Sequence, residues 1–232
     1  MGFLGMGLKM IKAVIFDLDG TLLNRDQSVI QFINNQYERL HNWLGLIPKE
    51  KYISRFIDID NRGYVWKDKV YQQLIYEFGI KGIHQEKLLE DYLNHFKYHC
   101  VPFQNLTVML KDLKKMGIDL AIITNGKGQF QIDNIVALGI KDFFKEIIVS
   151  EWEGIKKPNP QIFITALERL NILWNEAIYV GDHPLNDIEA AKKVGMKTIW
   201  KKDKQWSNVD ADFIISDLSE LPRIIEETNK VY

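Results

Sequence analysis

The chain has 232 residues, 46% apolar and 26% charged, with a formal net charge of −1, which describes a folded globular protein rather than a disordered one. Near-neutral charge supplies no global positive field for nucleic acid or an anionic membrane surface. The single cysteine, Cys100, cannot form an internal disulfide, and no apolar run approaches the ~18 residues of a transmembrane helix. The expected setting is the cytoplasm, without nucleic-acid or membrane partners.

Residues 1–9, MGFLGMGLK, lack the basic start of a secretory signal. Position 6 is Met6 rather than Ser or Thr, so the myristoylation pattern fails after Gly2. The segment reads as a frayed leader, with Met10 an alternative start.

Ala13–Phe16 is a continuous apolar run that ends abruptly in Asp17-Leu18-Asp19-Gly20-Thr21. Hydrophobicity without alternation predicts a strand covered on both faces, as in a parallel sheet. From about Asn24 to His99 no comparable run occurs. Helical patches over Val29–Leu44, Asp68–Phe78 and Gln85–Phe96 stand there instead, rich in aromatic residues expected to form a core. Strand endings then recur. Leu120–Ile123 ends in Thr124-Asn125-Gly126, Ile147–Val149 in Ser150-Glu151, and Ile178–Val180 in Gly181-Asp182. Lys197–Trp200 and Phe213–Ile215 are weaker strands. Between them lie helical stripes, Leu106, Met109, Leu110 and Leu113, then Ile162, Phe163, Ala166, Leu167 and Leu170. Asn159-Pro160 supplies an N-cap and a first-turn proline to the second stripe.

Strand alternating with helix predicts an α/β fold: a Rossmann-like open parallel sheet flanked by helices, with right-handed crossovers. The expected organisation is a core of residues 10–23 and 101–232, with a helical insertion, 24–100, after the first strand.

Ligands of such sheets bind beyond the carboxyl ends of the strands. Asp17 and Asp19 are two apart and point to one side of an extended chain. Thr124-Asn125-Gly126 offers a hydroxyl and backbone N–H groups to an anion. Lys157 precedes the helix cap, whose N–H groups also favour anions. Asp182 and Asp187 add carboxylates. Each piece alone also fits a turn or a solvated side chain; the argument rests on all four strand ends together.

This set resembles the haloacid dehalogenase-like superfamily of phosphohydrolases. Its motifs are matched by Asp17-Leu18-Asp19-Gly20-Thr21-Leu22, by Thr124, by Lys157-Pro158-Asn159-Pro160, and by Gly181-Asp182 with Asp187. The helical insertion is similar to the family's type 1 cap. Asn159 stands where the family more often has Asp, and either residue caps a helix.

The resemblance implies a phosphatase acting on a small-molecule phosphate ester, of nucleotide or sugar-phosphate type, through an aspartyl-phosphate. Asp17 would be the nucleophile, Asp19 the proton donor and acceptor, and Lys157 a catalytic cation holding the phosphoryl oxygens as charge spreads. Thr124, Asn125 and Lys157 would bind the phosphate. Mg2+ would be held by the Asp17 carboxylate, the Asp19 carbonyl and the Asp182 carboxylate, with Asp187 orienting Lys157 or a metal-bound water. Haloacid dehalogenases lack the carboxylate two residues after the nucleophile, so Asp19 argues against carbon–halogen hydrolysis. A phosphomutase and a non-catalytic binding protein remain as alternatives on the same fold.

In the insertion, Arg62 and Lys67 flank Tyr64 and Trp66; the cluster fits a turn with ordinary surface charges, or else a site that meets an anionic or planar leaving group by charge and stacking. His183 is read as a loop histidine facing solvent or substrate, the pair His95 and His99 as solvated, and Cys100 as a packing residue. The chain is expected to be a monomer or a homodimer.

Overall fold

The computed structural model describes residues 10–230; residues 1–9, read above as a leader, lie outside them. Six strands form one sheet: β1 (Ala13–Phe16), β2 (Asp119–Thr124), β3 (Glu146–Val149), β4 (Ala177–Gly181), β5 (Lys197–Lys201) and β6 (Phe213–Ile215). Their order is β3-β2-β1-β4-β5-β6, and every pairing is parallel. All four residues of β1 are fully buried, as an unalternating apolar run demands of a central strand.

The order reverses direction at β1. The chain leaves β1 for β2 and β3 on one side and returns to β4 on the other, so the connections diverge between the carboxyl ends of β1 and β4. That divergence opens a crevice where a ligand sits in this class of sheet. In register, Phe16 lies beside Val180, and Asp17 N–H donates to the Val180 carbonyl at 2.9 Å. Residues after the two strands therefore emerge side by side.

The helix Pro160–Leu170 covers one face. Its stripe of Ile162, Phe163, Ala166, Leu167 and Leu170 is buried against β1, β2 and β4, with Phe163 edge-on to Tyr179 at 5.0 Å between ring centroids. Asn159 caps this helix by accepting from Gln161 N–H, and Pro160 opens it. The helix Leu106–Lys115 buries Leu106, Met109, Leu110 and Leu113.

The chain divides into two compact units, residues 24–101 and the remainder. The first is helical: Arg25–Arg39, Lys49–Asp60, Lys67–Phe78 and Gln85–His95, with short turns between. Phe32, Tyr52, Phe56, Tyr71, Leu74, Tyr92 and Phe96 form its interior. Tyr64, Tyr76 and Tyr98 stay exposed, so the aromatic richness is only partly a core.

Two features differ from expectation. The patch Val29–Leu44 is two helices, because Leu40 leaves helical backbone at φ −105° and ψ 23° before a short turn over His41–Leu44. The helix Lys49–Asp60 has no counterpart among the sequence patches. Pro48 precedes it without a side-chain cap, and its buried apolar face is only Tyr52, Phe56 and Ile59.

Candidate active site

Asp17 follows β1 directly and is 6% exposed. Its Oδ1 accepts from Lys157 Nζ at 2.6 Å and its Oδ2 from Thr21 Oγ1 at 3.2 Å. The turn after Asp17 folds back so that Leu22 and Leu23 N–H groups both donate to the Leu18 carbonyl. Gly20 makes this turn possible: its φ is +93°, and a Cβ there would collide with the Asp182 carboxylate.

Lys157 is buried, and its ammonium spends three donors on Asp17 Oδ1 (2.6 Å), Asp187 Oδ1 (2.7 Å) and the Tyr179 hydroxyl (3.0 Å). Its backbone is fixed as well. Asn125 Oδ1 accepts from Lys157 N–H at 2.9 Å, and Asn125 Nδ2 donates to the Lys157 carbonyl at 3.0 Å. The Lys157–Pro158 peptide is cis. Asn125, expected to bind phosphate, is thus a clamp on the lysine loop, with its amide oxygen and nitrogen both on the Lys157 backbone.

Asp182 follows β4. Its carbonyl accepts from Trp200 Nε1 at 2.8 Å, and its Oδ1 lies 3.5 Å from Thr21 Oγ1. Asp187 lies in a π-helical turn, Pro184–Glu189, that His183 caps with its ring nitrogen. Asp187 Oδ1 also accepts from the Tyr179 hydroxyl, and Oδ2 accepts from His183 N–H at 3.0 Å. His183 therefore shapes the loop, with its ring against Trp206 at 5.3 Å.

The carboxylates of Asp17, Asp182 and Asp187 each place an oxygen within 4.8 Å of the others. Two buried acids and the half-buried Asp182 face one buried ammonium, and the protonation equilibria report the imbalance. Burial, reinforced by Asp187 and Asp19, raises the Asp17 carboxyl to about 7 despite Lys157. Burial and the Asp17 charge hold Asp182 well above the carboxylate range. Burial opposes the charge on Lys157, but Asp17 and Asp187 outweigh it and raise the ammonium well above its ordinary value. A hard divalent cation among these oxygens would restore the balance, and an all-oxygen donor set suits it. Asp187 is the most heavily engaged, accepting from Lys157, Tyr179 and His183 N–H, so Asp17 and Asp182, with fewer donors, are the carboxylates better able to meet an ion.

Asp19 is held apart from this cluster. Its Oδ2 accepts at 2.7 Å from Gln131 Nε2, which also reaches Thr124 Oγ1 at 2.7 Å. Sequence reasoning missed Gln131 and Tyr179. The available signals were a glutamine on the buried stripe of the helix Gly128–Ala137, four residues before Ile135, and a tyrosine two residues before Gly181 on a buried strand. It also missed Lys201 at the end of β5, whose ammonium donates to the Gly20 carbonyl at 3.1 Å and lies over the Phe103 ring.

Arg62 and Lys67 belong to the helical unit. Lys67, named with Arg62 as a leaving-group contact, is 2% exposed and ion-paired to Asp60, which also binds Arg25 at 2.9 Å. Arg62 is half-exposed beside Asp26 at 3.5 Å, in a left-handed backbone conformation (φ 55°).

Comparison with known proteins agrees with this geometry. The family model for haloacid dehalogenase-like hydrolases matches residues 14–201. The chain is 31% identical to the glyceraldehyde 3-phosphate phosphatase of Pyrococcus furiosus over 249 residues, 96% of each chain. A solved HAD phosphatase from Thermococcus onnurineus is 28% identical with a TM-score of 0.66, covering 93% of this chain and 98% of that one. A solved 2-haloacid dehalogenase from Pseudomonas syringae pv. Tomato is also 28% identical, with a TM-score of 0.64 over 94% of this chain and 99% of that one. Among the described residues no helix is long and apolar enough to cross a membrane. The family match runs from the second residue of β1 to the last of β5 and takes in Asp17, Asp19, Thr124, Lys157, Asp182 and Asp187: the chain belongs to the haloacid dehalogenase-like hydrolases.

Proposed function

We propose that this protein is a Mg2+-dependent phosphatase that hydrolyses a small-molecule phosphomonoester of the sugar-phosphate type, with Asp17 as its nucleophile. The observation that carries the reading is the unlike treatment of two neighbouring carboxyls. Asp17 is gripped by Lys157 and Thr21, whereas Asp19 is held away from that grip by Gln131. That difference supports a reading in which one attacks and the other moves a proton. The relative named as a glyceraldehyde 3-phosphate phosphatase supports a small sugar phosphate as substrate.

In this reading an Asp17 oxygen attacks phosphorus in line, and the ester P–O bond breaks as the new bond forms. Asp19 gives its proton to the departing alkoxide. A water then attacks the aspartyl-phosphate and yields a proton to Asp19; inorganic phosphate leaves and the Asp17 carboxylate is regenerated. Lys157, the Thr124 hydroxyl and nearby backbone N–H groups hold the phosphoryl oxygens as charge spreads over them. Mg2+ would be held by the Asp17 and Asp182 carboxylates and the Asp19 carbonyl, and would supply the positive charge that lets a carboxylate approach a phosphate dianion. Asp187 orients Lys157.

The likeness to a dehalogenase does not extend to the proton donor's purpose. A halide departs without a proton, so a second carboxyl held at Asp19 has a use only with an oxygen leaving group.

All these groups handle the phosphoryl moiety alone. Choice among leaving groups is assigned to the helical unit, read as a cap, with Arg62 as its cation. Arg62→Ala should lower kcat/KM on the best natural substrate by about tenfold or more, about 1.4 kcal/mol, and leave p-nitrophenyl phosphate near wild type. Equal losses on both would remove Arg62 from substrate selection.

The deciding experiment is a Mg2+-dependent phosphate-release screen over glyceraldehyde 3-phosphate, hexose phosphates, nucleoside monophosphates, phosphoglycolate and p-nitrophenyl phosphate. The expected result is release with a sugar phosphate preferred. No release from any ester would overturn the phosphatase reading. Isomerisation without release would make the protein a mutase, and preference for nucleoside monophosphates would replace the substrate class.

A further inference from the structure

We infer that Gln131 is a positioning residue for proton transfer: its side-chain amide aligns the Asp19 carboxyl and the Thr124 hydroxyl together. The inference rests on the phosphatase reading above and assigns a part in it to a helix residue outside the four strand-end motifs.

Gln131 is 2% exposed and lies in the helix Gly128–Ala137. Its Nε2 is 2.7 Å from Asp19 Oδ2, 2.7 Å from Thr124 Oγ1 and 3.2 Å from the Asn125 carbonyl. A carboxylate and a carbonyl only accept, so the atom facing them must be the amide nitrogen, with two hydrogens shared among three acceptors. The other end is fixed too: Asn134 Nδ2 donates to Gln131 Oε1 at 3.3 Å. Gly126 makes the space, since a Cβ there would lie 3.0 Å from Gln131 Cγ and Nε2. The amide is therefore held from both ends and from the loop above it.

Two consequences follow from donor and acceptor identity. With Oδ2 of Asp19 occupied by an N–H, Oδ1 is the oxygen left to carry a proton to the leaving group and to take one back from water. With the Thr124 oxygen accepting from Gln131, its own hydrogen is directed elsewhere and is free to meet a phosphoryl oxygen. One amide thus orients the acid and a phosphate donor that follow two different strands; the Asp19 contact spans 112 residues and the Thr124 contact 7.

The test exploits leaving-group chemistry. Gln131→Met keeps the length of the side chain and removes the donors. Glyceraldehyde 3-phosphate must lose an alkoxide that needs a proton, whereas p-nitrophenyl phosphate loses a stable phenolate. With Mg2+ present, kcat/KM for glyceraldehyde 3-phosphate should fall about tenfold or more beyond any loss on p-nitrophenyl phosphate. Equal losses on the two substrates would overturn the inference, because a packing defect does not discriminate between leaving groups. If Gln131→Met has a collapsed thermal midpoint, Gln131→Glu, which replaces the donor with an acceptor at the same volume, carries the same comparison. Asp19→Asn is measured alongside. If that variant shows no selective loss on the alkyl ester, the role of Asp19 itself fails; if it does and Gln131→Met does not, Gln131 alone is refuted.

Discussion

Lys157 Nζ lies 2.6 Å from Asp17 Oδ1, a contact between residues 140 apart in the chain and both buried. The pair is asymmetric. Asp17 has only Thr21 on its other oxygen, whereas Lys157 is shared with Asp187 and Tyr179. The lysine is a fixed point, and the aspartate is the group with a face left for chemistry.

Lys157→Met should therefore cost both stability and rate. Removing one partner of a buried ion pair leaves uncompensated charge and costs about 3–5 kcal/mol where the rest of the site cannot relax. Here the abandoned carboxyls protonate in part, so a loss toward the lower end is expected. Turnover of p-nitrophenyl phosphate should fall by about a hundredfold or more, since phosphoryl charge loses its nearest cation. Steady-state kinetics and thermal unfolding check both; activity above a tenth of wild type would be incompatible with the assigned role.

Asp17→Asn should behave in the opposite way toward stability. It removes one of three crowded acids and keeps the side-chain shape, so the metal-free thermal midpoint should equal or exceed that of wild type. Activity should drop roughly a thousandfold or more, as for loss of a nucleophile. Circular dichroism and phosphate release measured on one preparation distinguish this from misfolding.

Metal and pH should be linked through the same acids. The folded, metal-free protein holds Asp17 at about 7 and Asp182 well above its ordinary value. A carboxyl raised on folding contributes stability that is fully present below its unfolded value of 3.8 and lost as pH rises through the folded value. The midpoint of the chelated protein should thus fall as pH passes through about 7, and added Mg2+ should raise it more on the alkaline side than on the acid side. Chelation should abolish turnover, Mg2+ should restore it, and Ca2+ should restore it poorly because its coordination is larger and looser. A Mg2+-induced shift independent of pH would count against Asp17 and Asp182 as the ion's carboxylates.

In the helical unit, Asp60 accepts from both Arg25 and Lys67, so the two sides of this cluster should differ in cost. Asp60→Ala removes the acceptor shared by two cations and should destabilise by about 3–5 kcal/mol. Lys67→Met leaves the Arg25 contact and should cost clearly less. Denaturant unfolding of the two variants provides the comparison; a larger loss for Lys67→Met would reverse the order of importance.

What could be read directly from the chain was whatever short-range pattern determines. Unalternating apolar runs that stop at Asp17, Thr124 and Asp182 mark central parallel strands and their ends, because only a strand covered on both faces stays apolar throughout. The stripe through Ile162, Phe163, Ala166, Leu167 and Leu170, opened by Asn159-Pro160, determines a helix and the face it buries. Those local rules suffice to bring Asp17, Asp19, Thr124, Lys157 and Asp182 to one edge of a sheet. The partners of each side chain were decided by register and crossover. The β1–β4 pairing sets Asp17 beside the Asp182 loop, and the clamp of Asn125 on Lys157 and the reach of Gln131 to Asp19 join segments 32 and 112 residues apart. A charged side chain such as Lys67 looks the same in sequence whether it meets water or Asp60. Only packing of the surrounding helices, which removes the water, turns it into one half of a buried ion pair.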